Sequence, residues 1–244
     1  MKPLRLGMLT PSSNTVVEPY TDALLAPLFP QVTAHYSRFR VTRIALDAGS
    51  DAQFSLEPIL AAADLLADAR VDVIAWNGTS AAWLGLERDR ALCEAIRARC
   101  AIPATSAMLG LRRLLARDGI DRIGLVTPYT GDVQEKIAAN FAAAGIAVTG
   151  ENHAALSDNF SFATLSEEEI AEACRAVAAS RPEAIVILCT NMRGPLVAAR
   201  LERELGIPVY DSVAFTLWAC LAAAGMDTAA LAGFGACFAG GIGR

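Results

Sequence analysis

The chain is poor in metal-binding side chains. It has two histidines, His35 and His153, with no HExxH and no clustered ligand pattern, so no zinc site is expected. Its six cysteines, Cys93, Cys100, Cys174, Cys189, Cys220 and Cys237, include no C-x-x-C pair. Scattered in this way they are expected to be free thiols in a reducing compartment, not a disulfide framework. Positive charge is also short: 21 lysines and arginines stand against 26 acidic residues, for a net charge of -5, which leaves no electrostatic footprint for nucleic acid. No stretch reaches the ~18 apolar residues of a membrane helix; the most apolar one, VAFTLWACLAAAGMD, is ended by Gly225 and Asp227. The opening MKPLRLGMLTPSSNT holds only LGML before a proline, short of a secretory core. These absences point to a soluble, cytoplasmic protein whose partner is a small molecule, with no nucleic acid and no membrane.

What is present is a repeat. LRLGMLTPSSNT near the start and DRIGLVTPYTGD from 121 each give an apolar strand, a Thr-Pro pair (10/11 and 127/128), a polar turn and a helical pattern. VDVIAWNGTS at 71–80 matches EAIVILCTNM at 183–192, and each is followed by a charged helix and an Ile-Pro pair, 102/103 and 207/208. The runs 5–9, 71–76, 122–126 and 184–188 are almost wholly apolar, as strands of a parallel sheet covered on both faces require. Helical periodicity fits 54–69, 86–99, 106–116, 132–144, 167–180, 195–205 and 212–224.

The predicted fold is therefore α/β: two pseudo-symmetric, doubly wound lobes with parallel four-stranded sheets and a cleft between them. The length of 244 residues suits two lobes of about 120, with ARDGIDR at 116–122 as the break, giving 1–117 and 118–244. The last helix of each half is free to pack across onto the other lobe. The glycine-rich end, GFGACFAGGIGR, reads as a strand and a loose tail. Alanine-rich helices such as LAAAGMDTAALAG fit a homo-oligomer interface and an ordinary core equally well.

In such sheets ligands bind beyond the carboxyl ends of the strands, so the turns TPSSNT, NGTS, TPYT and CTNM should converge on one cleft. With SDN at 157–159, this ordered set resembles the aspartate/glutamate racemase superfamily over about residues 4–225, and within it the maleate isomerase and arylmalonate decarboxylase branch. Racemases of that superfamily use one cysteine per lobe, on opposite faces of the substrate. Here the second-lobe position is Cys189 and the first-lobe position is Gly78. Maleate isomerases resemble the chain at 11–15, 128–129 and 157–159, but their first-lobe cysteine, which adds to the double bond, has no counterpart. Arylmalonate decarboxylases carry glycine-threonine-serine in the first lobe and a lone second-lobe cysteine, the pattern of Gly78, Thr79, Ser80 and Cys189.

The resemblance implies a cofactor-independent lyase acting on a small carboxylate. Loss of carbon dioxide from a malonate leaves an enediolate that hydroxyl and N–H donors stabilise. Thr79, Ser80 and Tyr129 would supply hydroxyls, and the turn through Pro11, Ser12 and Asn14 amide or N–H groups; Asn159, Thr190 and Asn191 complete the binding set. Cys189 would deliver the proton, as a thiol kept neutral by an apolar cleft.

Plainer readings stand beside these. A cysteine at the end of a buried strand is commonly a small core residue, and that reading holds for the other five cysteines. Thr79 and Ser80 suit a helix cap, Tyr129 a turn aromatic, and Asn159 an ordinary polar loop. Arg38 and Arg40 alternate on a strand-like run and so share a face; a solvated sheet edge explains them as well as substrate contact does. Two further functions stay open: a maleate-type isomerase or dicarboxylate racemase, and a non-enzymatic binding module built on the same two-lobed plan.

Overall fold

The computed structural model of the protein describes residues 2–239. The first half runs β1 (Leu4–Pro11), α1 (Val17–Leu25), β2 (Val32–Phe39), α2 (Ala48–Ala52), α3 (Leu56–Asp68), β3 (Val73–Trp76), α4 (Ala81–Leu84), α5 (Leu86–Cys100), β4 (Ala104–Ser106) and α6 (Ala107–Asp118). The second runs β5 (Arg122–Thr127), α7 (Gly131–Ala143), β6 (Ala147–His153), α8 (Glu167–Ala178), β7 (Ala184–Ile187), α9 (Pro195–Leu205), β8 (Val209–Asp211), α10 (Ser212–Ala223) and α11 (Ala236–Ala239). Each half folds into a four-stranded sheet, in the order β2-β1-β3-β4 and β6-β5-β7-β8, with every pairing parallel.

The central strands β3 and β7 are buried at every position, which is why they read as unbroken apolar runs. β6 lies at a sheet edge and alternates between exposed and half-buried residues, so it leaves no such run. Helix starts follow local chemistry. Ser106 accepts the Leu109 N–H at the head of α6, Asp211 accepts those of Val213 and Ala214 at the head of α10, and Ser166 with Glu169 forms a reciprocal capping box on α8.

α10 belongs to the second half by sequence but packs on α6, β4 and β3 of the first. All residues from Ser212 to Leu221 are buried, as a helix apolar on every side must be. Gly110 permits the closest approach: a Cβ there would lie 2.8 Å from the Ala219 Cβ and 3.0 Å from the Phe215 carbonyl.

The glycine-rich end departs from expectation. Ala229–Phe234 forms a 3-10 turn and Ala236–Ala239 a short helix, because Cys237 and Phe238 face the core and are buried there. The remaining residues of the expected tail, 240–244, lie outside the described residues.

Candidate active site

The turns after β1, β3, β5 and β7 meet between the sheets around a cavity of about 20 Å³, room for about one water. Pro11, Gly78, Thr79, Ser80, Tyr129, Asn159, Cys189 and Thr190 reach its wall. The rest is apolar: Val41, Ile44, Phe54, Trp76 and Trp83. None of these five was singled out by sequence reasoning, although two of them, Trp76 and Trp83, flank the NGTS turn. A large aromatic at the last position of a buried strand, pointing past its carboxyl end, was the available signal.

Cys189 sits two residues beyond the end of β7 and is 3% exposed. Burial pushes its thiol up to about 12, with Tyr129 and the Asn191 N–H pulling the other way. That N–H lies 3.4 Å from the sulfur. At neutral pH the group is therefore a protonated thiol, an acid more than a nucleophile. Tyr129 is also fully enclosed, and burial, then the neighbouring Cys189, holds its hydroxyl well above the usual phenol range. The hydroxyls of Tyr129 and Thr79 are 2.7 Å apart, a contact between the two lobes.

Gly78 occupies in the first lobe the place that Cys189 occupies in the second, two residues beyond the end of its strand. The Trp76 ring lies directly over its Cα, so that a Cβ on Gly78 would fall 1.9 Å from a ring carbon. Phe39 packs against that ring in a tilted arrangement, with centroids 5.0 Å apart. Ser80 is the N-cap of α4 and makes no side-chain capping bond, which leaves its hydroxyl to the cavity wall.

Three of the expected binding residues stand behind this surface as struts. The Ser12 N–H donates to the Phe39 carbonyl, and its hydroxyl exchanges hydrogen bonds with the Val41 backbone. Asn14 accepts the Val16 and Val17 N–H groups at 2.9 Å while its amide donates to Thr190. Asn191 accepts the Thr15 N–H and donates to the Asn159 carbonyl. The Ser12 and Asn14 donors of the Pro11–Asn14 turn are thus engaged in closing the turn and joining the lobes. Thr190 is engaged likewise, donating to the Asn77 carbonyl at 3.0 Å. Arg38 pairs with Glu18 and donates to the Ser12 and Asn14 carbonyls, bracing the same turn, and Arg40 is exposed.

A strap from each lobe crosses the cavity. The Ile44 N–H donates to the Ser157 carbonyl at 2.9 Å, and the Asn159 N–H to the Thr42 carbonyl at 3.0 Å, around an antiparallel bridge between Arg43 and Asp158. Among the described residues no group of histidine, cysteine and carboxylate side chains could hold a metal ion, and no helix is long and apolar enough to cross a membrane.

A family model described as arylmalonate decarboxylase matches residues 6–238. The maleate isomerase of Alcaligenes faecalis is 25% identical over 246 residues, covering 93% of this chain and 94% of that one. The arylmalonate decarboxylase of Bordetella bronchiseptica is 25% identical over 236 residues, covering 96% and 95%. Among solved structures, a cysteine-to-alanine variant of the maleate isomerase from Pseudomonas putida S16, bound to maleate, matches with a TM-score of 0.89 at 25% identity, over 99% of this chain and 100% of that one.

Proposed function

The chain belongs to the arylmalonate decarboxylase family and is also similar to maleate isomerases, and from that premise we propose that it is a cofactor-independent decarboxylase of a substituted malonate or related small acid. The observation that carries this reading is the asymmetry of the two matching strand ends. The second lobe presents a neutral thiol, and the first presents a glycine whose Cα lies under an aromatic ring.

The chemistry is set by those groups. As the bond to one carboxylate breaks, carbon dioxide leaves and the electron pair passes into the remaining carboxylate as an enediolate. The Thr79 and Ser80 hydroxyls and the Tyr129 phenol, protonated at neutral pH, are donors for the oxygens where that charge gathers. The apolar wall of Val41, Ile44, Phe54 and Trp83 disfavours an extra buried charge, which favours its departure as neutral carbon dioxide. The Cys189 thiol then gives its proton to the carbanionic carbon from the second-lobe side, and the thiolate recovers a proton from solvent. With one thiol, protonation comes from one side and yields one stereoisomer. No cofactor is needed, because the carboxylate itself holds the electron pair. The six free cysteines fit a cytoplasmic setting.

A second reading is isomerisation or racemisation of a small dicarboxylate by Cys189 and a non-thiol partner. It is favoured by the names of the relatives, more of which are maleate isomerases than decarboxylases. The test is proton NMR in deuterated water with methyl(phenyl)malonate, simple alkylmalonates, maleate and aspartate. Loss of a malonate with one deuterium in the product supports decarboxylation. Conversion of maleate, or exchange of the aspartate α-hydrogen, with the malonates untouched would replace it by the second reading.

A further inference from the structure

A second, larger cavity of about 500 Å³ adjoins the active site and shares Phe54, Trp76 and Ser80 with it. Its volume suits a substituent or small ligand. Apolar side chains such as Ile59, Leu84 and Leu92 make up most of its wall. Its polar members are Ser55, Ser80, Glu87, Arg88 and Asp89; Glu87 and Arg88 are exposed at the rim, whereas Asp89, in the first turn of α5, is only 2% exposed. Its Oδ2 is buried without a hydrogen-bond partner. An acid in the first turn of a helix is favoured by the helix dipole, which accounts for its place in the sequence but leaves the orphaned oxygen unexplained. That oxygen has no surface open to the cavity, so Asp89 must turn its side chain to meet a ligand there; a buried carboxylate oxygen with no donor is costly, and a ligand that brings a donor would recover that cost.

We propose that this cavity is a second compartment of the active site, taking an apolar substituent of the carboxylate substrate that ends in an ammonium group received by Asp89. The proposal rests on the carboxylate site around Thr79, Tyr129 and Cys189. Three further features support it. Burial raises the Asp89 carboxyl to about 7, with Ser106 pulling the other way, so an arriving cation would hold it ionised at neutral pH. Trp76, which lines both cavities, is buried and packs against Gly78 and Phe39, so it forms the less mobile part of the partition. Phe54 is half-buried and touches Trp76 and Trp83 only edge-on, at centroid distances of 6.4 and 6.2 Å. Rotation of Phe54 is therefore the motion that joins the two compartments.

Binding of unreactive acids tests this without requiring turnover. Affinities of 4-(aminomethyl)phenylacetate, its amine-free isostere 4-ethylphenylacetate, and 4-methylbenzylamine would be measured by calorimetry on the wild type, Asp89→Asn and Ala91→Phe. Ala91 lies on the exposed rim of the larger cavity, so its replacement fills the compartment without disturbing the core, and it carries the test should Asp89→Asn fail to fold. The expected result is at least about tenfold tighter binding of the aminomethyl acid than of its isostere, an advantage lost in Asp89→Asn and binding of both weakened by Ala91→Phe. Equal affinities, or an advantage that persists in Asp89→Asn, would overturn the proposal. Should 4-methylbenzylamine bind as tightly as the aminomethyl acid and lose affinity in Asp89→Asn, Asp89 would be an amine site unconnected to the carboxylate site, and the joined compartment would be overturned. None of these results depends on which reaction the enzyme performs, so failure of the decarboxylase reading would register separately, in the turnover panel.

Discussion

The two strand ends that face each other across the cavity have the same backbone plan and opposite distributions of bulk. β3 ends in Trp76 and is followed two residues later by Gly78; β7 ends in Ile187 and is followed at the same distance by Cys189. Positions i and i+2 on an extended chain share a face, so the size of the strand's last residue limits the side chain two positions on. The Trp76 ring uses the space over Gly78, whereas the smaller Ile187 leaves room for a thiol. The next residue in each turn diverges as well. Thr79 turns its hydroxyl to Tyr129, and Thr190 spends its hydroxyl on the Asn77 carbonyl. On the proposed decarboxylase reading one lobe holds the charge and the other supplies the proton, although both share one repeated pattern.

This contrast can be broken at the first lobe. Gly78→Ala puts a methyl against the Trp76 ring and is expected to cost about 3 kcal/mol of folding stability, at the upper end of overpacking effects. In a Trp76→Ile background, which copies the second-lobe arrangement and itself loses stability to the cavity it opens, adding Gly78→Ala should cost little in urea denaturation. If Gly78→Ala alone is neutral, the ring does not determine the glycine.

A second difference is electrostatic. Each lobe buries one carboxylate, Asp89 in the first and Asp211 in the second, and burial raises each to about 7. Each carries an oxygen without a partner. Their folded-state values lie above the ordinary 3.8, so the folded protein holds protons that the unfolded chain has released. Stability should therefore fall as pH rises from about 4 to about 7, by on the order of 4 kcal/mol per group, and stay low above that window. Asp89→Asn should be more stable than the wild type at pH 8 and indistinguishable from it at pH 4. The same change at Asp211 should help less, because Asp211 also caps α10. Stability that rises between pH 4 and 7 would contradict this account.

The smallest effect separates the two threonines. Thr190→Val removes the donor to the Asn77 carbonyl and should cost about 1 kcal/mol with turnover little changed. Thr79→Val removes the bond to the Tyr129 hydroxyl and should cost a similar amount, but it should lower turnover as well. Unchanged turnover would mean that Thr79 too is only a strut.

Much of this arrangement is legible in the sequence because it depends on local patterns. The repeated Thr-Pro and Ile-Pro pairs mark the two halves, and seven helices fall where their periodicity puts them, within a residue or two at most ends. Cys189, Gly78, Thr79, Ser80 and Tyr129 reach one cavity because strand ends of a parallel sheet converge. The division of polar residues into wall and strut was not legible. Whether the amide of Asn14 faces a substrate or Thr190 depends on a partner 176 positions away, and periodicity carries no such information. The aromatic wall was missed because Trp76 and Trp83 read as ordinary core residues, and the strap from 41 to 44 because its pairing to 157–159 is between lobes. The glycines near 233 suggested a loose end, while burial of Cys237 and Phe238 decides for a helix.

On the proposed mechanism Cys189 is the group that gives a proton to the substrate carbon. The most direct test is the initial rate, by proton NMR in deuterated water, on whichever acid of the panel the wild type converts, measured for the wild type and Cys189→Ser at equal concentrations of folded protein. A loss of at least about 100-fold, within the usual range for removing a positioned proton donor, with an unchanged denaturation midpoint, is the predicted result. Equal rates in the two proteins would contradict it and return Cys189 to the core as a small buried residue.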